Sequence, residues 1–86
     1  MTPTRPKVVA GLDVNETDDG LIIYDEETDR VHHLNQTAAV VFELCDGTRT
    51  ENEIALAVAD VFGLSTIPES ETASCIVNLT RERLIA

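Results

Sequence analysis

Residues 31–47 read VHHLNQTAAVVFELCDG, and no single type of secondary structure can hold that stretch. Residues 31–34 are short, partly β-branched and free of Gly and Pro, which marks a strand. Asn35 is then suited to cap a helix, its side-chain oxygen accepting from an otherwise orphan amide of the first turn. Ala38, Val41, Phe42 and Cys45 follow at i, i+3, i+4 and i+7, a single helical stripe. Gly47 is placed to end that helix, because a residue just past a helix often needs φ > 0, which Gly adopts without a Cβ clash. The junction divides the chain into an acidic β half and a helical half.

The remaining segments fall around this junction. Residues 1–6 carry two prolines and two threonines and read as a frayed arm. Residues 8–14 are expected to form a first strand, and residues 15–20 a polar, Asp-rich turn ending in Gly. Residues 21–24, a dense apolar run, form the clearest strand. Residues 25–29 make a second tight turn, and residues 30–34 the third strand. Short turns between consecutive strands predict an antiparallel meander. After the first helix, Thr50 and Glu53 match the S/T-x-x-E capping box. The helix they open carries Ile54, Ala57, Val58, Val61 and Phe62 on one face, and Gly63 closes it. Thr66, Pro68 and Glu69 repeat the capping pattern, with Pro tolerated in the first turn. The last helix is expected to reach about Arg83, with Ala73, Ile76, Val77 and Thr80 or Leu79 as its apolar side. Three strands followed by three helices make an α+β domain spanning residues 1–86, with the outline of a winged helix whose wing is N-terminal.

Charge narrows the function. The formal net charge is −10, and eight of the sixteen acids precede Arg30. Nucleic-acid binding rests on Lys and Arg neutralising phosphates, so this field opposes it, and it opposes anionic membrane surfaces equally. No apolar h-region follows Met1, and no run approaches the roughly 18 apolar residues of a membrane span. A soluble, cytoplasmic chain is expected. Aromatic residues are scarce, so the core must be aliphatic and small, and a partner would add to its stability.

Catalytic chemistry finds no footing. His32 and His33 are adjacent on a strand and point to opposite faces, so one metal cannot easily use both. His32 is expected on the inner face with Leu34. Cys45 and Cys75 lack a CxxC spacing and sit inside helical patterns, where a thiol is a small core residue, and a disulfide between them is not expected in a reducing compartment. The carboxylates crowd into turns and read as a solvated face. Gly11, Gly20, Gly47 and Gly63 are isolated, so no phosphate-binding loop forms. A non-enzymatic chain without metal or cofactor is the expectation. What remains is the edge of the sheet. An extended peptide can add a strand there, its backbone giving affinity and side-chain pockets giving selectivity, whereas a bare edge is otherwise a liability.

The run DRVHHLNQTAAVVFELCDGTRTENEI, residues 29–54, resembles the PqqD-like proteins. The marks are Leu34-Asn35 at the strand end, Thr37-Ala38-Ala39 opening the helix, Asp46-Gly47-Thr48 closing it, and Thr50 with Glu53-Ile54 beyond. The likeness extends to the preceding hairpin, GLIIYDEETDR, and to Leu79 and Leu84-Ile85 at the end. That family is the founding example of the RiPP recognition elements, which bind the leader peptides of ribosomally made, modified natural products. The resemblance implies a winged-helix-like fold without catalytic residues. It implies a leader held as an extra strand against the third β-strand, in a groove floored by the third helix. It also implies presentation of the precursor to a maturation enzyme, often a radical S-adenosylmethionine enzyme with an iron–sulfur cluster. Carried onto this sequence, the pairing strand is Arg30, Val31, His32, His33 and Leu34. A helical wheel draws the helix wall from Ala73, Val77 and Thr80, with Arg81 at the rim. Arg83 departs from the family pattern, where a small residue commonly precedes the final Leu.

Two other readings stay open at this level. A DNA-binding winged helix is opposed by the charge and by the few basic residues of the last two helices, Arg81 and Arg83, both near the end. A small module using the same edge to form a homodimer needs no leader at all. The net charge also suggests a basic patch on a partner or leader, which would speed encounter more than it adds affinity.

Overall fold

The computed structural model describes residues 4–86. Three strands, β1 Leu12–Thr17, β2 Gly20–Asp25 and β3 Arg30–Asn35, precede three helices, α1 Gln36–Leu44, α2 Glu51–Phe62 and α3 Glu69–Arg81. The sheet is antiparallel in the order β1-β2-β3, so the α+β arrangement follows the predicted order. β2 is central and supplies the sheet's deepest residues, Leu21 and Ile23. Cross-strand pairing of Leu21 with Leu34 and of Ile23 with His32 puts these four side chains on the face that meets the helices.

β1 differs from its expected position. It runs from Leu12 to Thr17 and closes onto Gly20 through Asp18-Asp19. Val8 forms only an isolated bridge to Ile85. Asn15, Glu16 and Thr17 join the strand because β2 pairs with their backbone, although β1 beyond Leu12 is exposed to water. Gly20 is obligatory at this hairpin. Its φ is +152°, and a Cβ there would collide with the Leu34 carbonyl.

The expected arm is only partly arm-like. Met1–Pro3 lie outside the described residues, whereas Pro6 is fully buried. Its carbonyl accepts from the Gly47 amide at 3.0 Å, and Lys7 exchanges two backbone hydrogen bonds with Ala86 at 2.9 and 2.8 Å. The arm is therefore clamped between the α1–α2 loop and the C-terminal tail, which leaves Leu84 and Ile85 buried.

Helix boundaries follow their caps. Asn35 caps α1 by accepting from the Ala38 amide at 2.9 Å. α1 stops at Leu44 with Cys45 as C-cap, and Gly47, at φ +85°, lies beyond it in a turn. There Asp46 accepts from the Thr48 amide and hydroxyl and pairs with Arg49. The Thr50–Glu53 capping box of α2 is complete, and Gly63 is left-handed as expected. Thr66 does not cap α3. Pro68 is its N-cap and no side chain accepts there, because Pro places the helix start at Glu69, a step beyond the reach of Thr66.

Two stripes are rotated from expectation. On α2 the buried side is Ile54, Ala55, Val58 and Ala59, while Val61 is 59% exposed and Phe62 lies at the surface. The small Ala55 and Ala59 are buried on the inner face. On α3 the core stripe is Thr72, Ile76 and Leu79, and Val77 is exposed. Ile23, Ile54 and Ile76 are each wholly buried, contributing about 2 kcal/mol apiece by removing apolar area from water.

Candidate functional site: the groove between β3 and α3

β1 covers one side of β2, so β3 is a free edge of the sheet. α3 runs opposite this edge, but no Cα of β3 comes within 8 Å of a Cα of α3. The gap is a groove of about 390 Å³. Leu34, Ala38, Leu79 and Leu84 give it an apolar floor, and Cys75, Asn78 and Glu82 form its helix side. Local sequence sets this shape. The stripe Thr72-Ile76-Leu79 turns into the core, which presents Cys75, Asn78 and Glu82, spaced at i, i+3 and i+7, to β3.

His32 occupies the inner face, as alternation with the buried Ile23 partner requires. Its Nδ1 lies 3.6 Å from the Glu82 Oε2, a spacing suited to an ion pair when the imidazole is protonated. Its Nε2 is buried and finds no hydrogen-bond partner among the described residues. A buried imidazole nitrogen without a partner is unusual, and this one lies in the wall of the groove. His33 lies on the opposite face, beside Ile22 in the register.

Both cysteines are free thiols. Burial, then the neighbouring Cys75 and Asp46, pushes the Cys45 thiol up to about 12, and Cys45 Sγ donates to the Val41 carbonyl at 3.1 Å. Burial also raises Cys75. Neither environment favours the thiolate that nucleophilic chemistry needs.

A second hollow, of about 450 Å³, adjoins the groove through Glu82 and is lined by Asp25, Thr28, Arg30, Arg81, Glu82 and Arg83. Arg83 has φ +61°. It holds the left-handed position of a helix-ending motif in which the Arg83 amide donates to Thr80 and the Leu84 amide to Leu79, both at 3.0 Å.

Of the residues singled out in the sequence, Val31, His32, His33 and Leu34 line the groove, and Arg30 and Arg81 line the second hollow. Ala73, Val77 and Thr80 do not line the groove. They occupy the other flank of α3, where Thr80 donates its hydroxyl to the Ile76 carbonyl at 2.7 Å. The wheel was centred on the apolar Ala73 and Val77, whereas the fold centres on Thr72, Ile76 and Leu79. The groove residues not anticipated are Asn35, Ala38, Cys75, Asn78, Leu79, Glu82 and Leu84. The i, i+3, i+7 spacing of Cys75, Asn78 and Glu82 marks them as the helix side only once the core stripe beside them is known.

A family model described as coenzyme PQQ synthesis protein D (PqqD) matches residues 20–85. The chain belongs to the PqqD family. The match begins at Gly20, so it takes in β2, β3 and all three helices, and with them both walls of the groove. Two solved structures share the fold. "TbiB1 in Complex with the TbiA(beta) Leader Peptide" has a TM-score of 0.76 at 16% identity over 92% of this chain and 93% of that one. "Lasso peptide synthetase B1 complexed with the leader peptide" has a TM-score of 0.74 at 16% identity over 95% of this chain and 98% of that one. No curated relative matches the sequence. This PqqD-family chain shares that fold, with its three strands placed before three helices. Among its described residues, no helix is long and apolar enough to cross a membrane.

Proposed function

We propose that this PqqD-family chain is a RiPP recognition element. It captures the leader of a ribosomally made precursor peptide as a fourth strand on β3 and holds it for a separate maturation enzyme. The observation that carries the reading is a free edge strand facing a helix across an open groove. An edge of six residues offers a partner about 20 Å of backbone to pair with. The apolar floor of Leu34, Ala38, Leu79 and Leu84 gives alternate side chains of that strand a place to sit. The solved proteins of the same fold are described in complex with leader peptides, which supports this occupant. The chain contributes binding, in the cytoplasm, and the bond-making chemistry belongs to the maturation enzyme, a radical S-adenosylmethionine enzyme being the type the family suggests. The acidic surface would draw a basic partner and speed its encounter.

The test is an NMR titration of isotopically labelled protein with the synthetic leader of the short precursor encoded nearest its gene. Shifts on residues 30–35, Ala38, Cys75, Asn78 and Glu82, with micromolar or tighter affinity, are expected. Shifts confined to β1, or concentration-dependent self-association that the peptide leaves unchanged, would instead favour a dimerisation module.

A further inference from the structure

The chain has six Lys and Arg residues, and three of them, Arg30, Arg81 and Arg83, line the hollow at one end of the groove. We infer that this hollow is a carboxylate-binding subsite, which reads an Asp or Glu of the captured peptide at the Arg30 end of β3. The inference rests on the peptide-capture reading above.

With sixteen acids in the chain, three neighbouring arginines would be expected to find partners. Among the described residues, however, the charged contacts are Arg49–Asp46 and, when the imidazole is protonated, His32–Glu82, and none of the three takes part. The nearby acids each make a contact other than to these arginines. Asp25 Oδ1 accepts from the Glu27 amide at 3.1 Å, Asp29 Oδ1 accepts from the Tyr24 hydroxyl at 2.6 Å, and Glu82 faces His32. Arg30 pairs with Asp25 in the strand register, yet its guanidinium is not within ion-pair distance of that carboxylate. Against Asp25 and Glu82, the three arginines leave the hollow one positive charge in surplus on a strongly acidic protein.

Arg83 adds an independent observation. Its left-handed φ is the conformation that favours glycine, and α2 does end on glycine in the same motif. Here an arginine holds the position, and its side chain lines the hollow. Arg81 alone is accounted for by the helix dipole, which favours a cation in the last turn. That explanation reaches neither Arg30, at the start of a strand, nor Arg83, past the helix end. Guanidinium forks match a carboxylate's two oxygens in a way a lysine ammonium does not. Position supplies the register. Arg30 is the first residue of β3, and the hollow shares Glu82 with the groove, so a strand laid on β3 runs into it.

The test pans the full chain against phage-displayed random dodecapeptides fused through their C-termini, so that every carboxylate offered is a side chain. Binders are mapped onto the protein by NMR. We expect β3 binders enriched in Asp or Glu at one fixed distance from an aliphatic anchor, despite the protein's negative charge. Replacing that acid by its amide should weaken binding at least fivefold to the wild type and less than twofold to Arg30→Gln/Arg83→Gln. The Arg30→Lys/Arg83→Lys variant, with melting curves of both, separates charge from folding. Binders that map to β3 with no acid preference, or with equal losses on both proteins, overturn the subsite and leave capture standing. A library yielding no β3 binder overturns capture and the subsite together.

Discussion

α2 and α3 are twelve and thirteen residues long and both turn one face to the same core, yet they are finished differently. Both carry two glutamates in the first turn, but α2 adds a complete capping box and Gly63 at its left-handed end. α3 starts from Pro68 with no capping side chain and ends on Arg83 with φ +61°. A missing N-cap costs about 1 kcal/mol, and a left-handed non-glycine residue costs at least as much. α2 is thus capped at both ends, while α3, although its end charges suit the helix dipole, lacks a capping side chain at its start, holds a left-handed arginine past its end and borders the groove. Elements that receive ligands are drawn from the less stable end of a structure, and local disagreement with the fold collects at functional sites.

The largest expected contrast is in binding. Asn78 is exposed on the groove side of α3, and Asn78→Trp should weaken peptide binding at least 30-fold, about 2 kcal/mol. Leu56→Trp, at an exposed position of α2, should leave it within twofold. Calorimetric titration of both variants decides, and equal effects would erase the distinction between the helices. At the helix ends the signs should be opposite. Gly63→Ala should lower unfolding stability by about 1 kcal/mol, since a Cβ is strained at that φ. Arg83→Gly should raise it by up to about 1 kcal/mol, as read from urea denaturation midpoints. At the helix starts, Thr50→Ala should cost about 1 kcal/mol, whereas Thr66→Ala, outside any cap, should change stability by less than about 0.5 kcal/mol. The smallest effect is on pH dependence. The Thr50 amide, then its hydroxyl, holds the Glu53 carboxyl below its ordinary value of 4.5. A carboxyl lowered on folding contributes its stability above the unfolded value and loses it as pH falls through the folded one. The stability difference between wild type and Glu53→Gln should therefore be full at neutral pH and shrink progressively below about 4.5.

How much of this could be read from the sequence differs by element. β2, β3 and the first two helix starts were legible because strong local signals agreed: the apolar run of Leu21 to Tyr24, the Asn35 cap and the Thr50–Glu53 box. β1 was displaced because its pairing rests on backbone hydrogen bonds and leaves polar Asn15, Glu16 and Thr17 in the strand. The α3 face was misphased because the buried position belongs to a threonine, Thr72, while the apolar Val77 faces water. That error carried into the site, since the groove side of α3 can be found only once the core side is known. The strand half of the groove was reached through edge logic and family likeness. The helix half, Asn78 and Glu82 above all, depends on how α3 is rolled against Ile54 and Val58, which no local pattern encodes.

Amide hydrogen exchange of β3 with and without the leader tests strand addition most directly. If the peptide pairs with β3, amides within residues 30–35 should slow at least tenfold on saturation, while those of the other edge strand, β1, should not change. Saturated binding with unchanged exchange along residues 30–35 would contradict strand addition, and protection confined to β1 would place the peptide on the wrong edge of the sheet.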